Sequence, residues 1–354
     1  LKDIIDTLLA SNVNEKNIYI FEDNLGRPNA LPSDQVLSFA ENAEITVICS
    51  NIERKEEFKT KETFGLFLAQ HYHFMADAIF LPNLPSRAFN SLGYSFPIPE
   101  QEKNNRIFHH NYQFAVFLED DLKLAIDAVK YFHEMSKVMR ADPSIYCAAA
   151  HVDNAFHATS YEYKYDEDDM NMQSEQEFHF RRGNHFMAPG WMTSQEMYIN
   201  VIRPGWLENT TGTYAYKDEL KLLNGHWDRY FDSRIGFRDC IYPEVARILH
   251  VGANGFTINQ RAQDEMFGQL RLSNWPVYLN YGDTSYLLRQ NYNQALLDYI
   301  QQAILIPVPE FIFEKQDSSS NNRKFGYKYV LPVDSLHDQD DVWKKDKVLK
   351  IMKI

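Results

Sequence analysis

A continuous apolar run, Phe114-Ala115-Val116-Phe117-Leu118, passes directly into three acids, Glu119-Asp120-Asp121. A short segment with no polar residue on either face predicts a strand covered on both sides, as at the centre of a parallel sheet. Three adjacent carboxylates at its carboxyl end repel one another unless a cation or hydrogen bonds offset them. Open α/β sheets bind their ligands at that end of the strands. Hard oxygen donors suit Mg²⁺ or Mn²⁺, and such an ion can bridge to a diphosphate. The competing reading is a solvated helix N-terminus, where acids complement the dipole. The position directly after a wholly apolar strand favours the metal.

The surrounding pattern is that of an α/β chain. Ile4, Ile5, Leu8 and Leu9 have helical spacing. Asn17 to Phe21 reads as a strand, with Glu22 to Gly26 as the turn after it, and Ile45 to Cys49 reads as a second strand. Residues 62–80 predict a helix with Phe67, His71, Phe74, Ala78 and Ile79 near one face. After the acids a helix is expected, with Leu122, Ile126, Val129, Phe132, Met135 and Met139 as its stripe and Asp142-Pro143 as its stop. Ile145 to Ala150 is another buried strand. Strands alternating with helices predict a mostly parallel sheet with helices on both faces. Past residue 186 the pattern turns irregular, rich in Trp, Gly and Pro. Ser318 to Asn322 reads as a linker, the last 30 or so residues as peripheral, and no internal repeat is present.

Charge limits the partners. The 354 residues carry 36 basic and 49 acidic side chains, a net charge of −13. Nucleic acid and anionic membrane are thereby disfavoured, because phosphate binding needs clustered Lys and Arg. An anionic nucleotide would need a divalent ion to offset its phosphates. The three cysteines, Cys49, Cys147 and Cys240, include no CxxC. They are too few for a disulfide scaffold and leave one bridge or none. No apolar run approaches the roughly 18 residues of a membrane span. The chain opens inside a helix-like pattern without Met, which reads as a fragment whose start, with any targeting segment, is missing.

Other signals are weaker. Asp166 to Asp169 follows no apolar strand and reads as a solvated loop. Trp227-Asp228-Arg229-Tyr230 places a carboxylate between aromatic residues, which could desolvate Asp228 and raise its basicity. Taken alone that pair is more often structural. None of the histidines has HExxH spacing, and GxGxxG, GxxxxGK[ST] and GxSxG are all absent. Asn209-Thr210-Thr211 is a sequon, in keeping with a secretory-pathway protein.

Several of these motifs, in order, resemble the β-1,2-N-acetylglucosaminyltransferase I family, which includes the enzyme that starts complex N-glycans and the protein O-mannose β-1,2-N-acetylglucosaminyltransferase. They are Phe117 to Lys123, Ala141 to Cys147, Asp153-Asn154, Gly190-Trp191-Met192, Trp227-Asp228, Cys240 to Arg247 and Tyr286-Leu287. The resemblance covers about residues 17–300. The resemblance implies a GT-A fold with a Glu-Asp-Asp variant of the DXD motif. It implies a nucleotide-sugar half over 1–155, an acceptor and catalytic half over 156–300, and a peripheral region over 301–354.

Roles follow from the same resemblance, position by position. Asp121 would be the only direct protein ligand to Mn²⁺, with Mg²⁺ as the substitute. Glu119 and Asp120 would contact the sugar and ribose of the donor, Asp23 the uridine, and His71 the donor as well. Asp228 would be the general base, with Trp191 and Trp227 on the acceptor side. Cys147 and Cys240 would form a disulfide. The implied reaction is inverting transfer of N-acetylglucosamine from UDP-GlcNAc to the 2-hydroxyl of a terminal α-mannose of an N-glycan. Transfer onto O-mannosyl glycans and a catalytically inactive glycan-binding homologue are the alternatives. The implied location is the Golgi lumen, with membrane contact only through an N-terminal anchor outside this sequence.

The chain departs from the family in several places. The family's first strand, with a nucleotide-contacting Arg, would lie before Leu1. Asn24 stands where the family has a cysteine, Arg229 where the N-glycan enzyme has a second Asp, and His151 where a Trp precedes Asp-Asn. Residues 82–112 and 157–180 read as insertions.

Overall fold

The structure is a computed structural model. It describes residues 1–23, 36, 40, 45–50, 61–81, 112–152, 178–204, 228–252, 260–268, 270–302, 305–307, 330–331 and 348–351. The chain divides into two compact units, Leu1–Leu287 and Leu288–Ile354. The second holds a helix, Arg289–Gln302, and a three-stranded antiparallel sheet of Leu305–Pro307, Val348–Ile351 and Val330–Leu331.

The first unit opens with helix α1 (Lys2–Ala10), which buries Ile4 and Ile5. Strands β1 (Tyr19–Asp23) and β2 (Thr46–Ser50) pair in parallel, Phe21 opposite Ile48. The expected turn at Glu22-Asp23 is therefore the end of a strand, because β2 supplies a partner through Ser50. Helix α2 (Lys61–Phe80) runs as its spacing predicts, and the side chain of Phe67 lies outside the described residues. Strand β3 (Phe114–Phe117) leads to the acids.

Two expectations fail here. Leu122 does not start a helix: Leu122–Leu124 forms a short strand, β4, and helix α3 begins only at Ala128 and ends at Ala141. A lone apolar periodicity cannot register that β4 has a distant partner, strand β9 (Ile248–His250), with which it pairs antiparallel, Leu122 opposite His250. From Ala128 on the stripe behaves as predicted, burying Phe132, Met135 and Met139, and Asp142 follows the last helical residue.

The second failure concerns the sheet, which is mixed rather than mostly parallel. Its strands are β3, β5 (Ile145–Ala149), β6 (Phe180–Gly183), β7 (Trp191–Ser194) and β8 (Asp239–Pro243), in the order β3-β7-β5-β8-β6. Only β5 and β8 run parallel; β7 is antiparallel to both β3 and β5, and β6 to β8. Among the described residues the apolar run of β3 is thus at the edge of this sheet, with Val116 exposed. The reason is that β6, which begins at the end of the expected insertion, and β7, from the segment past residue 186 that read as irregular, return against the direction of their neighbours. The expected insertion at 82–112 lies outside the described residues except Tyr112, and that at 157–180 except Phe178 to Phe180, where β6 begins.

The core sits between α2, the sheet and the turns around Phe186 and Phe231. Trp191 stacks on Phe117 at 4.7 Å, and Phe186 stacks on Phe231 at 4.6 Å. Such aromatic pairs add stabilisation beyond their burial. Cys147 and Cys240, opposite each other on β5 and β8, are joined in a disulfide.

A buried ion pair ties β9 to this frame. Arg247 and Asp127, both fully buried, meet at 3.0 Å, and the Tyr281 hydroxyl donates to Asp127 Oδ2 at 2.7 Å. The guanidinium lies 5.5–5.7 Å from the ring centres of Tyr131, Phe180 and Tyr281. The Arg247 backbone N–H donates to Ala150 O and its carbonyl accepts from Ala125 N. Breaking a buried ion pair leaves an uncompensated charge and is costly, so the start of β9 is held in place.

Candidate functional site

A cavity of about 1170 Å³ opens at the carboxyl end of β3. Glu119, Asp120 and Asp121 line it, together with His71, Asp228 and His250. The acids reach it because β3 ends at Phe117 and the chain turns at Asp120 and Asp121 before β4 begins. The β4–β9 ladder then brings His250 beside them, and Val251 N–H donates to Asp121 O at 2.9 Å.

Glu119, Asp121 and His250 each offer one ligand atom, and these atoms lie within 4.8 Å of one another. His250 Nε2 is 3.1 Å from Asp121 Oδ2. Asp121 Oδ1 is buried and has no hydrogen-bond partner among the described residues. Gly252 leaves room beside the carboxylate: a Cβ there would collide with Asp121 Oδ2. An orphaned buried oxygen, an open cradle and a carboxylate–imidazole donor set fit a divalent ion.

The three groups titrate as a coupled set. Burial raises Glu119 to about 7, the Asp121 charge adds to this, and a hydrogen bond from Tyr72 opposes it. The Tyr72 hydroxyl donates to Glu119 Oε1 at 3.0 Å. For Asp121, burial pushes the pKa up, but the hydrogen bond and charge of His250 hold it below the usual carboxylate range. For His250, burial works downward, and Asp121 overrides it to raise the imidazole. A bound cation would have to displace the His250 proton and would favour the charged form of Glu119.

The other expected residues are placed as follows. Asp120 is exposed and lines the cavity but stands outside the three-donor group. His71, on α2, packs beside Phe74; burial lowers it to about 4 against a hydrogen bond to the Phe21 backbone. Asp228 is the first residue of helix α4 (Asp228–Ile235). Asp23 closes β1, and its side chain lies outside the described residues, as does Trp227. Trp191 is only 1% exposed and forms the platform under Phe117, so its indole is part of the core rather than the cavity wall.

Sequence reasoning passed over three contributors. His250 and Tyr72 are two, and neither had a local signal, because each meets the acids only through tertiary pairing. The third is the pair His185 Nδ1–Asp232 Oδ2, at 2.9 Å. Asp232 stands one turn after Asp228 on the same face of α4, also accepts from Phe186 N–H at 2.5 Å, and His185 lines the cavity. The i,i+4 spacing of Asp228 and Asp232 was legible and could have pointed to it.

A profile of the GNT-I family matches residues 101–342. A relative from Arabidopsis thaliana, alpha-1,3-mannosyl-glycoprotein 2-beta-N-acetylglucosaminyltransferase, is 24% identical over 217 residues. That stretch covers 61% of this chain and 42% of the relative, so the chain spans less than half of that protein's length. The profile covers most of the chain, including the acids, Asp228 and His250, and on this ground the chain belongs to the GNT-I family.

Proposed function

We propose that the chain is a metal-dependent glycosyltransferase of GT-A type that moves N-acetylglucosamine from UDP-GlcNAc to the 2-hydroxyl of a terminal α-mannose of an N-glycan, with inversion, in the Golgi lumen. The observation that carries this reading is one cavity holding both a cation-binding donor set, Glu119, Asp121 and His250, and a separate carboxylate, Asp228. Family membership and the name of the Arabidopsis relative support the transferred sugar and the mannosyl acceptor.

In this reading Asp121, with Glu119 and His250, holds Mn²⁺. When bound, the ion supplies Lewis-acid neutralisation of charge on a leaving diphosphate. Asp228 accepts the proton of the acceptor hydroxyl, and that oxygen attacks the anomeric carbon from the face opposite UDP. One base suffices for a single displacement, and no enzymic nucleophile is required. His71, neutral at physiological pH, offers a hydrogen bond to the donor without adding charge. Tyr72 fixes the carboxylate of Glu119. The acidic net charge is no obstacle, because the cation carries the nucleotide's attraction.

The test is transfer from labelled UDP-GlcNAc to a panel of mannosides, with and without EDTA. A β-1,2-linked product lost on chelation is expected. Metal-independent transfer, or a product with retained configuration, overturns the mechanism. Binding of mannosides with neither transfer nor hydrolysis of UDP-GlcNAc would mark an inactive glycan binder instead.

A further inference from the structure

We infer that His185, held by Asp232, is an acceptor-positioning residue: its ring hydrogen-bonds the sugar hydroxyl adjacent to the one that reacts, the 3-hydroxyl of an α-mannoside. The inference rests on the proposed transfer to mannose with Asp228 as base, and adds a second point of hold on the acceptor.

Both oxygens of one carboxylate fix this segment. Asp232 Oδ1 accepts the Phe186 backbone N–H at 2.5 Å, and Asp232 Oδ2 lies 2.9 Å from His185 Nδ1. A carboxylate only accepts, so Nδ1 carries the hydrogen and the ring is tied through it. Two successive residues are thus clamped to the same side chain, one by its ring and one by its backbone. Phe186, itself buried, stacks on Phe231 at 4.6 Å, and Phe231 directly precedes Asp232 on α4. His185 by contrast is exposed and lines the cavity. A ligand that meets a ring already anchored in this way loses little to ordering it.

The place of the ring in the cavity points to the acceptor. Asp228 lines the same cavity and stands one helical turn before Asp232. Side chains four apart on a helix have Cβ atoms about 5–6 Å apart, so the base and the clamp are separated by roughly the width of one sugar ring. Beyond His185 the wall turns apolar, with Met187, Ala188 and Pro189 also lining the cavity. A few fixed polar groups beside an apolar strip suit a sugar, whose hydroxyls lie at the ring edge and whose C–H bonds form an apolar face.

Charge decides which end of the substrates meets this pair. The imidazole is matched by the Asp232 carboxylate, and Asp228 adds a second carboxylate on the same helix. An anion gains nothing there, so the diphosphate of the donor belongs with the cation-binding acids. A neutral hydroxyl suits the ring in either protonation state, because it donates to a bare nitrogen and accepts from an N–H. One hydroxyl on Asp228 and its neighbour on His185 hold the acceptor at two points and aim the reacting oxygen. In an α-mannoside C1 carries the glycosidic bond, so the free hydroxyl next to the 2-hydroxyl is the 3-hydroxyl.

The experiment offers the Mn²⁺-loaded protein UDP-GlcNAc with an α-mannoside or its 3-deoxy analogue. KM and kcat are read separately, and mannoside binding is followed by saturation-transfer NMR. In wild type the 3-deoxy compound should have a KM raised roughly tenfold, the scale of one hydrogen bond, with kcat and the KM for UDP-GlcNAc little changed. His185→Ala should raise the mannoside KM by about the same factor and erase the difference between the two acceptors. Its side chain is exposed, so the truncation leaves the core untouched. Asp232→Ala, which releases the ring, should act like His185→Ala. Asp232→Asn, which keeps a partner for the ring and for the Phe186 N–H, should restore most of the discrimination. Equal KM for the two acceptors in wild type, or a preference that His185→Ala retains, overturns the inference and leaves the proposed transfer intact. A fall in kcat of about 10² or more in Asp232→Asn also overturns it, because that is the mark of a base rather than a positioning group. Mannoside binding without transfer, with a 3-hydroxyl preference that His185→Ala loses, overturns the proposed function and leaves this inference standing. Neither transfer nor mannoside binding overturns both.

Discussion

The hydroxyl of Tyr72 donates to Glu119 Oε1 at 3.0 Å, joining the middle of helix α2 to the first of the three acids beyond β3. Tyr72 is buried, and its ring packs against Phe117, Trp191 and Phe231. Tyr72→Phe keeps that packing and removes only the donor. A buried carboxyl deprived of its partner costs about 1–3 kcal/mol. Urea melts of the metal-free protein should show that loss, and an unchanged midpoint would mean that the hydrogen bond does not hold Glu119.

Asp228 starts α4, lines the cavity and takes no part in the three-donor group. Asp228→Asn should lower transfer by about 10² or more, the scale of general-base loss. Donor and Mn²⁺ affinities should stay within a factor of about two of wild type. Near-normal turnover would remove Asp228 from the mechanism.

Asp121 has the orphaned oxygen and the contact with His250. Asp121→Ala is expected to abolish Mn²⁺-dependent UDP binding in calorimetry. UDP affinity that is equal with and without Mn²⁺ in both wild type and variant would show that the ion bridges nothing there.

His71, in the same cavity as the acids, gives a pH signature of its own. Its folded pKa, about 4, is depressed by burial below the unfolded 6.5. The imidazole is neutral in both states above pH 6.5, so its full contribution is present there. As pH falls from 6.5 to 4 only the unfolded chain takes up the proton, and stability drops by up to about 3 kcal/mol. His71→Gln should flatten that part of the stability profile in denaturant melts between pH 7 and 4. A variant that follows the wild-type curve would refute the burial of a neutral ring.

The Cys147–Cys240 bridge closes a loop of 93 residues between β5 and β8. For a loop of that size the unfolded-state constraint amounts to about 4–5 kcal/mol. Cys147→Ala combined with Cys240→Ala, which keeps both sites apolar, should lose a large part of it in thermal or urea melts. A double variant as stable as wild type under oxidising conditions would exclude the bridge from folded-state stability.

The site was partly legible in the chain. The junction of Leu118 with Glu119 could be read because an apolar strand and the acids after it are adjacent in sequence, and their conflict is local. The stripe of α3 could be read from Val129 onward for the same reason. The roles of Asp121 and Asp228 and the cysteine pairing came from ordered resemblance, not from spacing. His250 was invisible: a histidine ending a three-residue strand has no pattern of its own.

What the amino-acid sequence determined by itself is therefore the set of short-range facts, helix stripes, the helix stop at Asp142-Pro143 and the acidic turn, together with the net charge of −13. Each depends on residues within a turn or two of one another, or on a sum over the chain. Only the tertiary structure decided that β7 runs between β3 and β5, that Leu122 pairs with His250, and that an imidazole faces Asp121. Strand order and donor geometry arise from pairings between distant segments, which backbone hydrogen bonds can satisfy in many ways. The pairing kept here also buries Trp191, the disulfide and the Arg247–Asp127 pair in one core.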